Sequence, residues 1–200
     1  MDKIKLVAIL RGIRPAEAAE HIETLIKAGF RYIEIPLNSP DWQQSIPQMA
    51  ARFGEQAVIG AGTVLKVEQV DFLADAGAKL IVTPNTQPAT IRRAVARGTR
   101  VCAGCATATE AFSALDAGEQ WLPIFPSSTF GPDYIRALKA VLPPEVPVLA
   151  VGGVTPENLA SWVEAGCAGA GLGSDLYRAG QAVERTRQQA ERFIAAARSG

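Results

Sequence analysis

Histidine is nearly absent from this chain: His21 stands alone among 200 residues, beside three cysteines and two methionines. A single imidazole excludes a histidine-based metal triad and a Ser-His-Asp arrangement. His21 falls in the polar stretch AEAAEHIETLIKAG, where a solvated helix face is its expected place. The odd cysteine count, in a chain long enough to bury a sizeable core, does not describe a disulfide framework. Cys102 and Cys105 form a C-x-x-C, which reads either as a redox pair or half a metal site, or as two small apolar residues at a strand end. The second Cys or His pair that zinc requires is missing, so no metal is expected. Cys167 sits in the small-residue run CAGAGLG, where packing accounts for it.

Net charge is missing too, because 20 Lys and Arg balance 20 Asp and Glu. No broad field is available to recruit nucleic acid or an anionic membrane, and any attraction for an anionic substrate must be local. No apolar run reaches the roughly 18 residues of a membrane span, and MDKIKLVAIL is too short in apolar residues before Arg11 to be a secretory leader. A cytoplasmic chain is expected. The first apolar run ends in Leu10-Arg11-Gly12 and lacks G-x-G-x-x-G, which excludes the dinucleotide fingerprint, and no cofactor is expected.

What the chain has is repetition. Short apolar or small-residue runs recur at 5–10, 31–37, 57–62, 79–84, 99–104, 120–125, 146–153 and 167–173, about 20 to 26 residues apart. Between them lie segments of helical periodicity, such as PAEAAEHIETLIKAG and QPATIRRAVARG, several ending in Ala-Gly or Arg-Gly as a helix C-cap does. Strands without polar alternation, separated by helices, imply a parallel sheet buried on both faces. Eight such units predict a single (β/α)8 TIM barrel, with residues 1–200 as one domain and a closing helix near 176–197.

In this fold the chemistry gathers at the C-terminal strand ends, and phosphate is commonly held after strands seven and eight. Those ends read Val151-Gly152-Gly153-Val154 and Gly171-Leu172-Gly173-Ser174. Their glycines either let the backbone approach an oxyanion, with helices starting near Thr155 and Asp175, or merely make tight turns. Arg11 closes strand one and Glu34 lies within strand two, where burial of a charge demands a partner or a job. They read either as an anion-binding Arg with a general-base carboxylate of raised pKa, or as a structural ion pair. Thr63, Thr83-Pro84-Asn85 and Phe125-Pro126-Ser127-Ser128 offer hydroxyls and one aromatic wall.

The motifs AILRGI, EIPLNSP, IGAGTVLK, LIVTPN, CATATEAF, IFPSS, AVGGVTPENL and GAGLGSDLYRAGQ run nearly end to end. Through them the chain resembles the class I aldolases of 2-keto-3-deoxy-6-phospho sugar acids. EIPLNSP and Val151 resemble the branch acting on the galactonate epimer. The resemblance implies a homotrimer of barrels that cleaves its substrate reversibly to pyruvate and glyceraldehyde 3-phosphate. It implies Glu34 as the proton-shuttling base, Arg11 and Thr63 on the pyruvyl half, and the Gly152-Gly153 and Gly173-Ser174 loops on the phosphate. Members of the family carry a Schiff-base lysine on strand six. Here Trp121-Leu122-Pro123-Ile124-Phe125 puts Pro123 in its place, and proline has no nucleophile to offer. Of the six lysines, Lys3 and Lys27 are expected to be exposed, Lys139 outside the barrel, and Lys5 and Lys79 at the opposite face. Only Lys66 starts near the catalytic face.

Overall fold

The structure, a computed structural model, describes residues 4–199. They form eight parallel strands: β1 (Lys5–Ile9), β2 (Tyr32–Pro36), β3 (Val58–Gly62), β4 (Leu80–Thr83), β5 (Arg100–Ala103), β6 (Leu122–Ile124), β7 (Val148–Val151) and β8 (Gly169–Leu172). The helices are α1 (Pro15–Ala28), α2 (Trp42–Phe53), α3 (Val67–Asp75), α4 (Pro88–Ala96), α5 (Ala108–Asp116), α6 (Ser127–Phe130), α7 (Pro132–Lys139), α8 (Leu159–Glu164) and α9 (Val183–Arg198). The ladders run β5-β4-β3-β2-β1-β8-β7-β6, so the first and last strands lie side by side in mid-sheet, with Val7 opposite Gly171.

Local chemistry sets the helices. α1 opens on a proline, whose missing N–H costs nothing in the first turn, and ends where Gly29, at φ 121°, donates to the Leu25 and Ile26 carbonyls. Its buried residues Ala18, His21, Ile22 and Leu25 follow the 3.6-residue period. In α5 the Thr107 hydroxyl accepts from Glu110 N–H while the Glu110 carboxylate accepts from Thr107 N–H, a reciprocal cap.

Two apolar clusters separate the faces of the sheet. Val7, Leu80, Cys102, Trp121 and Leu149 fill the barrel interior. Leu6, Ala8, Ile33, Ile35, Ile81, Val101, Leu122 and Ile124 pack outward under the helices. Cys102 belongs to the inner cluster and Cys105 to the outer one, so the C-x-x-C thiols sit on opposite faces. All three cysteines are free and buried, and burial pushes Cys105 and Cys167 up to about 12. Neither a redox pair nor half a zinc site survives.

Three sequence expectations are corrected. His21 is not solvated: it is 2 % exposed, its Nδ1 lies 2.9 Å from Thr186 Oγ1 and its ring meets Tyr177 edge-on at 5.1 Å, joining α1 to α9. The period of α1 buries four positions on one stripe, and position 21 falls on it. The closing helix starts at Val183 rather than near 176, because Tyr177 N–H bonds back to the Gly173 carbonyl in a turn. Likewise α8 starts at Leu159, since Thr155 and Asn158 bond one another in a capping turn ahead of it.

The barrel closes through an unusual seam. No regular ladder joins β5 to β6; Cys105 N–H donates to the Pro123 carbonyl at 3.0 Å and Phe125 N–H to the Cys105 carbonyl at 3.1 Å. The Pro123 carbonyl faces β5, so its nitrogen lies on that same edge and brings no donor to it. Proline is tolerated in strands at such edges. Below it, side chains replace the ladder: Gln120 Oε1 accepts from Val101 N–H at 3.0 Å, and the Glu119 carboxyl accepts from Ala103 N–H. The second Glu119 oxygen is buried without a partner among the described residues, and burial pushes its pKa up to about 9.

A folded-state pKa above the unfolded carboxylate value near 4.3 contributes stability that is complete below that value and is lost as pH rises through the folded pKa. The urea midpoint is therefore expected to fall between about pH 5 and pH 9. Glu119→Gln, which keeps the acceptor and removes the proton, should flatten that fall, whereas Glu119→Ala should cost about 1–3 kcal/mol by orphaning the Ala103 N–H. An unchanged pH slope in Glu119→Gln would contradict a neutral Glu119 in the seam.

Candidate active site

The C-terminal strand ends bring together residues from six strands. Glu34 points into the barrel from β2, because its neighbours Ile33 and Ile35 face outward. It is 2 % exposed, and its Oε2 has no partner among the described residues. Burial pushes the pKa up to about 8, opposed by the positive charge of Arg11. The room for this carboxyl comes from the next strand, where a β-carbon at Gly62 would overlap both of its oxygens. Any side chain there would displace the carboxyl from this position.

Arg11 follows β1 and spans three consecutive strand ends. Its Nη1 donates to Asn38 Oδ1 at 2.6 Å and to Thr63 Oγ1 at 3.1 Å. Thr63 sits in the left-handed region at φ 54°, a costly conformation for a β-branched residue that persists only where its surroundings impose it. Arg11 and Glu34 share no hydrogen bond among the described residues. Their coupling is through space, so a tight structural ion pair is not what the strand ends have formed. Asn38 is the site partner that the sequence alone left unassigned; its signal was its position directly after EIPL.

Across the mouth, β7 and β8 end in two glycine loops. Gly152 and Gly153 adopt φ 99° and 73°, and a β-carbon at Gly153 would press on the Ser128 side chain. The first loop is braced by Asn158, whose Nδ2 donates to the Gly153 carbonyl at 2.9 Å, and by Ser128 N–H donating to the Gly152 carbonyl at 3.1 Å. The second is braced by Arg178 Nε donating to the Ser174 carbonyl at 3.1 Å. Among the described residues the N–H groups of Gly152, Gly153, Gly173 and Ser174 donate to no protein acceptor. Val151 N–H instead donates to Ser127 Oγ, which in turn donates to the Ile124 carbonyl, so that hydroxyl fastens β6 to β7. The Thr83 hydroxyl is likewise committed, to the Asn85 carbonyl. Phe125, 40 % exposed, stands at the end of β6.

Among the described residues no amine completes the interior at this end. Pro123 is buried opposite Leu149 of the inner cluster. Lys5 Nζ lies 5.8 Å from the Trp121 ring at the other end of the barrel, Lys66 precedes α3 in an exposed position, and Lys3 lies outside the described residues. No group of three His, Cys, Asp or Glu that would hold a metal is found among the described residues, nor a helix long and apolar enough to cross a membrane.

A parallel barrel with one buried carboxyl, an arginine clamp beside it and glycine loops ending strands seven and eight is the architecture of enzymes that work on small phosphorylated substrates. The family model described as KDPG and KHG aldolase matches residues 1–192, and the chain belongs to that family of lyases. It is 67 % identical over 196 residues to the 2-dehydro-3-deoxy-6-phosphogalactonate aldolase of Escherichia coli (strain K12), covering 98 % of this chain and 96 % of that one. It superposes on the solved structure described as native KDPGal with a TM-score of 0.98 at 66 % identity, covering 100 % of this chain and 97 % of the other. A cube-shaped, highly porous protein cage designed by fusing symmetric oligomeric domains contains a similar barrel, with a TM-score of 0.97 at 66 % identity over 98 % of this chain and 73 % of that one.

Carbon-13 NMR of the Glu34 carboxyl is expected to show titration near pH 8, and Arg11→Gln should move it higher by removing the opposing charge. Titration below pH 5 would mean that the carboxyl is solvated or paired.

Proposed function

We propose that residues 1–200 act as one barrel unit that binds 2-dehydro-3-deoxy-6-phosphogalactonate and its cleavage product pyruvate. Its reversible aldol cleavage to pyruvate and D-glyceraldehyde 3-phosphate is severely impaired by the loss of the strand-six amine. The observation that carries this reading is the buried Glu34 carboxyl with an unpartnered oxygen beside Arg11 in an aldolase-family barrel. Arg11, fixed by Asn38, holds the carboxylate end of the pyruvyl half together with Thr63. In a chain carrying a strand-six amine, Glu34 would relay the proton between the substrate oxygens and the enamine carbon, a task that a pKa near neutrality suits; in this chain the carboxyl is in place without that partner. The unpaired N–H groups of Gly152, Gly153, Gly173 and Ser174 take the phosphate, with Val151 and Phe125 lining the approach.

Class I cleavage needs an amine that adds to the C2 ketone and expels water, giving an iminium that accepts the electron pair of the breaking C3–C4 bond. Pro123 supplies none. A second reading, a binding protein that keeps the cradle and performs no turnover, rests on that same residue. The proposed homotrimer follows the family resemblance; the similarity to a designed assembly of symmetric oligomeric domains and the exposed Leu65 and Phe72, the latter with Trp42 edge-on at 5.5 Å, support an oligomer without fixing its number. Three free buried thiols and a phosphorylated substrate support a cytoplasmic location.

Borohydride with pyruvate is expected to leave the chain unmodified, and Pro123→Lys to restore both the reduced adduct and aldol cleavage, by at least 100-fold over the parent. A trapped adduct on the parent chain would locate another amine and overturn the assignment of the defect to residue 123. Calorimetry should detect the phosphorylated substrate on the parent at millimolar concentration, and its absence would sink the retained cradle. Arg11→Gln in the lysine variant should raise KM for pyruvate more than it lowers kcat.

A further inference from the structure

The opposite mouth of the barrel carries a cavity that the aldol chemistry does not use. It measures about 380 Å3 and is lined by Tyr32, Val58, Lys79, Arg100 and Gln120 at the N-terminal strand ends, with Thr99 and the turn after α4 at its rim. Behind its Tyr32 wall lies Trp121, which is buried and meets Tyr32 edge-on at 4.9 Å. The Arg100 Cζ lies 4.9 Å from the centre of the indole and Lys5 Nζ 5.8 Å, so two cations share one ring.

Lys79 and Arg100 bring charged donors to this space. Gln120 Oε1 is already taken by Val101 N–H, which leaves the amide NH2 as its contribution. No Asp or Glu lines the cavity, and neither Lys79 nor Arg100 is ion-paired among the described residues. The nearby buried carboxyl, Glu119, is bound to Ala103 N–H and held protonated by burial, so it supplies no counter-charge. In a protein of zero net charge this end of the barrel sets two cations around a concave space with Tyr32 in its wall. An ammonium and a planar guanidinium together match the oxygens of a tetrahedral dianion better than those of a single carboxylate.

We propose that this N-terminal mouth is a second binding site, taking the phosphate group of a small phosphorylated metabolite, with Arg100 and Lys79 as its ligands. The site stands apart from the glycine loops of β7 and β8, so binding at the two ends is separable.

Inorganic phosphate titrated into the full chain, followed by backbone amide NMR at fixed ionic strength with chloride as the control anion, tests it. Saturable shifts at Lys79, Arg100 and Gln120 are expected. Lys79→Gln combined with Arg100→Gln should weaken them at least ten-fold while the shifts at Gly152 and Gly153 persist. Arg100→Lys, which keeps the charge, should weaken them less. Both positions are exposed, so the fold is expected to hold, and unchanged amide dispersion verifies it. Movement of the Gly152 and Gly153 amides alone, an equal response to chloride, or undiminished shifts in the double variant would each overturn the site.

Discussion

A parallel sheet becomes a barrel only when its two outermost strands satisfy one another, and the whole molecule hangs on that closing contact between β5 and β6. Here the contact is made with one carbonyl of Pro123, one residue of the loop after β5, and two side chains, Glu119 and Gln120, that stand in for ladder partners. Peptide groups left unpaired in such a place would each cost on the order of 1–3 kcal/mol. A neutral glutamic acid is thus the hinge on which an otherwise regular sheet shuts. The same shutting makes the interior dry, and dryness is what keeps the carboxyl of Glu34 protonated near neutral pH.

The seam and the missing nucleophile are one fact seen twice. A residue facing inward from β6 looks into the active site with its side chain and toward β5 with its backbone. Proline at that position offers no nucleophile to the first and no donor to the second. The other groups of the proposed site do not draw on the side chain at position 123. The arginine clamp is held by β2 and β3, and the glycine loops are braced by Asn158, Ser128 and Arg178. In the proposed site the groups that hold substrate are other than residue 123, so binding can be kept where the amine is absent.

Much of this was legible in the sequence. Eight apolar runs at even spacing, separated by capped helices, specify the barrel, because periodicity and caps are local signals. Glu34 and Arg11 stood out because a charge in an apolar run must be explained. The rest depended on three-dimensional relations that no window of sequence contains. His21 looked solvated from its neighbours, yet α9 closes over it from more than 160 residues away. The start of α9 was misread because Asp175–Tyr177 turns back on Gly173 before the chain becomes helical. The hydroxyls of Thr83 and Ser127 looked available until their partners were seen. Pro123, a residue unusual inside a central strand, is accommodated because its strand borders the seam.

The bond between His21 and Thr186 joins the first helix to the last, just as β1 lies between β2 and β8. Until the final strand has been synthesised, β1 keeps one edge bare and α1 keeps a buried-type face exposed. The emerging chain therefore cannot finish its core from the N-terminus forward. It must wait, holding an open sheet, until nearly its whole length has left the ribosome.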